Sequence, residues 1–292
     1  TPMAGIPAHA ADNYLDRRVG KGNRGAIAEQ MEAPKDVKGI VKREVVRLLT
    51  PGSMIQSSLL KDNSSNFMIA VSLLNSLFGV AALDVTTADF RVMEFSSGKL
   101  LIDELSRLGA QELLISEKAW KKLENDIAPL GIASTQVKEE WVFDTPTGFE
   151  KLTRQFNVHS LDGFGLRGMT AGVGAAGGLL TYALDDLNLK LPHLKRIAPV
   201  HAEKYLWIDR TTQKHLELVE PLHEKGLTLL SILDTTMTPM GGRLFKEWLL
   251  HPLLNVDEII ARQDEVEKYY HDDRTRKALR ESLQNVRDLE RL

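Results

Sequence analysis

Asp234-Thr-Thr-Met-Thr-Pro-Met-Gly-Gly-Arg-Leu-Phe-Lys-Glu-Trp-Leu-Leu-His-Pro252 spells a helix with both ends marked. Thr238 is placed to cap it, its hydroxyl accepting from an early backbone N–H. Pro239 follows at the first helical position, where its missing N–H costs nothing. Pro252 disfavours helical geometry at His251 and stops the helix there. Met240, Leu244 and Trp248 fall on one line at spacing four, with Phe245 and Leu249 on the adjacent line. That broad apolar face predicts packing against other helices. Gly241 and Gly242 weaken the first turn, so a neighbouring helix is expected to approach closely there.

Working outward, residues 255–270 and 274–292 read as two further amphipathic helices. Leu279, Leu283 and Val286 line one face of the last. The alternating charges of residues 257–291 are expected to be solvated helix faces. From about residue 196 onward the strand pattern vanishes and the chain reads as all-α.

Upstream, residues 67–74, 79–85 and 90–95 are three short strand candidates separated by turn residues, close enough for an antiparallel meander. Helices are expected over 100–108, 118–127, 147–156 and 171–187, with a short apolar run at 112–115 and a strand at 134–137. A meander followed by alternating helix and strand gives an α/β sandwich with a mixed sheet. Residues 1–55 form a smaller α/β piece: a helix over 9–19, a glycine-rich turn, and strands at 26–31 and 43–49. It carries nine Lys/Arg against six Asp/Glu and is too small to bury much of its own surface. Residues 56–63 read as a linker, 64–195 as the α/β domain, and 196–292 as the start of a helical domain.

The composition is that of an ordinary soluble globular protein: 292 residues, 43% hydrophobic, 26% charged, net charge −3. No run of 18 apolar residues suggests a membrane span, and no signal peptide is visible. The sequence has no cysteine, which excludes disulfides and thiolate chemistry and suits a cytoplasmic protein.

The wording of the 234–252 stretch resembles the opening of the core, or lever, domain of the MutS family of DNA mismatch-repair proteins. The resemblance extends along the chain. Pro2-Met-Ala-Gly-Ile-Pro-x-His9, Ala26-Ile-Ala-Glu-Gln30 and Val45-Val-Arg-x-x-Thr-Pro-Gly52 are similar to the second half of that family's mismatch-recognition domain. Leu161-x-Gly-Phe-Gly and Ala175-Ala-Gly-x-Leu-Leu are similar to the end of its connector domain, and Val286-Arg-Asp-Leu-Glu-Arg-Leu292 to its core domain. The resemblance implies an RNase H-like fold for the connector, residues 64–195. It further implies that the whole protein is a dimer that clamps mismatched double-stranded DNA, binds ATP and Mg²⁺, and offers its connector to a MutL-like partner. The family's Phe-Tyr-Glu motif, whose aromatic stacks on the mismatched base, does not occur in this sequence, and neither does a P-loop. The chain is therefore expected to be an internal piece that neither hydrolyses ATP nor holds a cofactor.

Other motifs compete with this reading. Gly163-Phe-Gly-Leu-Arg-Gly168 and Gly172-Val-Gly-Ala-Ala-Gly177 match G-x-G-x-x-G, but neither follows a clear strand or has the acid that should lie about 20 residues on. Tight helix packing is the expected use. Asp84 lies on a meander strand, where RNase H-like nucleases place a metal-binding aspartate. Asp89, Glu104 and Asp144 are its candidate companions for two-metal chemistry, although Glu104 sits mid-helix where it can face solvent and Asp144 reads as a helix cap. The histidines lack zinc spacing. Lys21, Arg24, Lys38 and Lys42 are candidate phosphate contacts, which would add affinity without sequence information.

Overall fold

The computed structural model describes residues 11–19, 21–31, 41–53, 64–223 and 226–291. The expectations for residues 2–9, for Lys38 and for the linker 56–63 lie outside them. The described residues form two compact units, one within 11–53, 66–102 and 109–199, the other within 64–65, 103–108 and 200–291.

The first unit opens with helix α1 (Ala11–Val19) and the antiparallel hairpin β1 (Gly25–Gln30) and β2 (Arg43–Leu49). Val19 and Leu49 are buried there, backed by Leu15 and Ile27. Two strands cannot bury more than one small face, and the rest of β1 is largely exposed. A turn of 3-10 helix, Pro51–Ser53, is fully buried and leads toward a six-stranded sheet.

That sheet contains β3 (Met68–Leu74), β4 (Leu77–Asp84), β5 (Asp89–Phe95), β6 (Glu112–Ser116), β7 (Ser134–Lys138) and β8 (Ala198–Pro199), in the order β7-β6-β3-β4-β5-β8. The first three form the antiparallel meander, while β6 and β7 run parallel to β3. Strands β3 and β4 are near-continuous apolar runs because both faces of the central sheet are covered. The mixed sheet is as expected, with one correction: strand pairing does not end by residue 196. Ala198 and Pro199 pair in parallel with Arg91 and Val92. Two residues with a proline, at the sheet edge, carry no strand signal.

Helix α2 (Gly98–Leu108) follows β5, and α3 (Glu117–Ile127), α4 (Thr145–Phe156) and α5 (Thr170–Thr181) follow in chain order. Asp144 caps α4, accepting from the Thr147 N–H. Helix α5 ends earlier than its apolar pattern suggests and continues as a π-helical turn, Tyr182–Asp186. The second glycine motif lies in α5 and serves packing. A Cβ on Gly172 would lie 2.5 Å from Val92 Cγ1, and one on Gly174 2.3 Å from the Phe143 carbonyl oxygen. The Gly172 N–H, which a phosphate would need, donates to Glu94 Oε1 at 2.8 Å. Gly165 and Gly168 of the first motif hold positive φ of 79° and 84° in turns.

The second unit contains the short helices α6 (Arg210–His215) and α7 (Leu229–Leu233), then α8 (Pro239–Leu250), α9 (Val256–His271) and α10 (Asp273–Leu283). Thr238 caps α8 by accepting from the Gly241 N–H at 3.1 Å. The close neighbours of Gly241 are Thr236 and Thr238 of this capping turn, and Gly242 beside it is buried. Helix α10 stops at Leu283, nine residues short of its expected end, because residues 286–290 turn back to meet α8.

Candidate functional site

Asp84 ends β4 and is wholly buried. Its Oδ2 accepts from the Asn66 N–H at 2.8 Å, and its Oδ1 from the Thr86 N–H at 2.9 Å and the Thr86 hydroxyl at 2.6 Å. The carboxylate thereby ties the start of β3 to the β4–β5 turn. Asp89 stands opposite it in the β4–β5 register but is paired with Arg91 at 2.6 Å. Asp144 is a helix cap. Glu104, expected near solvent, is 4% exposed and paired with Arg107. Among the described residues no group of three or more His, Asp or Glu is arranged to hold a metal ion. Asp84→Ala strips three donors of a charged acceptor and should cost roughly 3 kcal/mol or more, measurable as a lowered urea midpoint. An unchanged midpoint would mean that this network contributes nothing.

A second buried carboxylate was not legible in the sequence. Glu112, at the start of β6, is 1% exposed. Its Oε1 accepts from the Tyr182 hydroxyl at 2.6 Å and the Gln136 amide at 3.2 Å, and its Oε2 from the Gly52 N–H at 3.3 Å. The π-helical turn sets Tyr182 into this cluster, while Asp185 and Asp186 just beyond pair outward with Lys151 and Lys138. Burial, and then the Glu112 charge, hold the Tyr182 phenol far above its usual range. Gly52 belongs to the Thr-Pro-Gly sequence. A Cβ there would fall 2.1 Å from Met68 Cγ and 3.1 Å from Glu112 Cβ, so only glycine lets the turn reach the sheet. Asn66 Nδ2 also donates to the Pro51 carbonyl at 3.0 Å.

Of the four phosphate-contact candidates, Lys38 is outside the described residues. Lys21 is exposed. Lys42 is exposed and paired with Glu44 at 2.6 Å. Arg24 donates from Nε and Nη2 to Ser134 Oγ at 3.3 and 2.8 Å, so its guanidinium is engaged by β7.

In the second unit the apolar line of α8 is only partly covered. Leu244 and Trp248 are 48% and 43% exposed, with Arg262 lying 3.9 Å over the Trp248 ring. Met240, Phe245 and Leu249 are intermediate. The most buried large polar group of α8 is Arg243, 8% exposed. Its Nη1 and Nη2 donate to the two Asp288 oxygens, both at 2.7 Å, and Nη2 donates to Glu290 Oε2 at 2.6 Å. Asp288 is thus not the solvated surface charge expected of it, whereas Glu290 meets Arg243 while staying half exposed. Hydrogen bonding to Arg243 keeps the Asp288 carboxyl below the usual range. A further cluster gathers Asp103, Glu104 and Arg107, all buried, against Trp207. The Trp207 indole N–H donates to Asp103 Oδ2 at 3.1 Å, and the Arg107 guanidinium lies 4.2 Å over its ring. His251 Nε2 stands 3.8 Å from Glu104 Oε1.

Comparison with known proteins accounts for both units. Three family models match in sequence order: MutS domain I over residues 1–58, MutS domain II over 66–195, and MutS domain III over 211–292. The chain is 40% identical to the DNA mismatch repair protein MutS of Protochlamydia amoebophila, covering all of this chain and 34% of that protein. It is 41% identical to the MutS protein of Chlamydia trachomatis and 38% identical to that of Desulfosudis oleivorans, again along its full length, covering 36% and 34% of them. It therefore spans about a third of the length of the curated relatives it matches. No helix among the described residues is long and apolar enough to cross a membrane. With three family models in register along it and whole-length identity near 40%, this chain belongs to the MutS family.

Proposed function

We propose that this chain is a non-enzymatic transmission stretch of a DNA mismatch-repair protein. In this reading the six-stranded sheet unit is an RNase H-like connector and the helical unit is the start of a lever. The full-length protein would be a dimer on mismatched double-stranded DNA, with ATP and Mg²⁺ bound outside this stretch and a MutL-like partner docked on the connector. The sheet order β5-β4-β3-β6-β7, an antiparallel meander followed by two parallel strands, supports the connector assignment.

The observation that carries the non-enzymatic reading is the occupation of Asp84. Its oxygens serve two backbone N–H groups and a hydroxyl in a fully buried position. A two-metal nuclease centre would need that carboxylate, and others within a few ångströms of it, for cations. Lys21, Lys38 and Lys42 remain the phosphate contacts of this proposal.

The test is fluorescence anisotropy on matched and mismatched duplexes, paired with a cleavage assay in Mg²⁺ and Mn²⁺. Binding should be weak and indifferent to the mismatch. With two or three phosphate contacts it should fall about 10- to 40-fold between 50 and 200 mM salt. Clear preference for a mismatch at physiological salt would overturn the binding proposal. Cleavage that disappears in Asp84→Ala would restore the nuclease alternative.

A further inference from the structure

Glu112 is 1% exposed, yet the groups bonded to it are neutral: a phenol, an amide and a backbone N–H. A buried carboxylate among neutral donors carries a desolvation cost that a counter-charge offsets. One stands a strand away. Ser134 of β7 is the register partner of Glu112, and Arg24, just ahead of β1, places its guanidinium on Ser134 Oγ. Burial and the Glu112 charge raise the Tyr182 phenol, and the Arg24 charge opposes them.

Arg24 and Gly52 bracket the β1–β2 hairpin in sequence. Gly25 and Leu49 are register partners at its open end, so the two chain ends flanking that end touch one corner of the sheet. Gly22 makes the same approach, its Cβ position lying 3.1 Å from the Ala133 carbonyl oxygen.

We propose that Arg24 and Glu112 form an electrostatic clasp that fixes the hairpin on the β6–β7 corner, with Glu112 holding the Gly52 turn and Arg24 serving as its counter-charge. Arg24 is then a positioning residue, withheld from DNA phosphates by its place in the fold. The inference concerns the fold of this chain and stands whether or not the transmission reading holds.

The test is amide hydrogen exchange on the full chain, comparing wild type with Glu112→Gln, Arg24→Met, Arg24→Lys and the Glu112→Gln/Arg24→Met double variant. In Glu112→Gln the amide group cannot accept on both sides. Protection of residues 50–53 and of the hairpin should fall about tenfold or more, as loss of a charge-assisted hydrogen bond implies. Protection in the centre of β3 and β6 should persist. Arg24→Met should loosen the same segments, Arg24→Lys should restore much of the protection, and the double variant should be no looser than Glu112→Gln alone. Unchanged hairpin protection in Arg24→Met would overturn the clasp. So would an equal loss across the central sheet in Glu112→Gln, or strictly additive effects in the double variant. Arg24 lies on the surface, so its variants keep the question open to measurement even if Glu112→Gln does not fold.

Discussion

Gly177→Ala is expected to destabilise the sheet unit by about 3 kcal/mol or more, although alanine is the better helix former by about 1 kcal/mol. The reason is the crossing of α4 and α5. A Cβ on Gly177 would stand 2.1 Å from Gly148 Cα and 3.1 Å from its carbonyl carbon, all backbone atoms that no rotamer change can move. The reverse contact is as tight: a Cβ on Gly148 would lie 2.8 Å from the Val173 carbonyl oxygen and 3.3 Å from Gly177 Cα. Helix α5 cannot retreat on its other side. There a Cβ on Gly79 of β4 would overlap the Ala171 carbonyl oxygen at 2.0 Å, and Ser72 of β3 donates to the same oxygen at 3.0 Å. The added methyl must therefore pry α4 from α5 and expose part of the core around Leu152, Leu179 and Leu180. For a unit of this size the melting temperature should drop about 6–12 °C. Gly163→Ala is the control, because nothing lies within 4 Å of a Cβ there. Equal melting temperatures for the two variants would mean that the crossing tolerates side chains.

Arg243→Met is expected to cost the helical unit about 2–4 kcal/mol, the lower part of the range for breaking a buried pair because Glu290 is half exposed. Methionine fills the space but removes the guanidinium that Asp288 and Glu290 share. Arg243→Lys should recover only part of the loss, since a single ammonium cannot reproduce the two-pronged bond to Asp288. The effect has a pH signature. The folded Asp288 carboxyl is held below its unfolded value near 3.9. Its stabilisation is therefore present above that value and lost as pH falls through the folded one. Urea midpoints of wild type and Arg243→Met should differ clearly at pH 7 and converge below about pH 4. A gap that stayed constant down to pH 3 would exclude the carboxylates as its source.

Much of the architecture could be read from local pattern. Thr238, Pro239 and Pro252 mark α8 because caps and prolines act within one turn of chain. The meander was legible because its strands are short apolar runs divided by turn residues. The glycine spacing of α5 signalled tight packing, though not its partner: Gly148 lies 29 residues upstream, and no local rule links the two. Buried charge was the least legible feature. Glu104 and Glu112 look like ordinary surface carboxylates in sequence, and only the fold brings Arg107 and Tyr182 to them. The Arg243 partners were misread for the same reason. Asp288 sits in an alternating charge pattern that usually means solvent, and nothing in that segment reveals the cation on α8. Asp84 went the other way. Its place on the meander suggested a metal site, but the donors that occupy it, Asn66 ahead of β3 and Thr86 in the β4–β5 turn, offer backbone N–H groups that no motif describes.

The arginine of α8 also sets a timetable for the nascent chain. Asp288 lies 45 residues beyond Arg243, so at ordinary synthesis rates about 2–9 s pass between the two leaving the peptidyl-transferase centre. Until residues 286–290 are made, α8 lacks the Asp288 and Glu290 carboxylates that its guanidinium meets in the folded chain. A ribosome stalled in that interval would hold α8 unsealed.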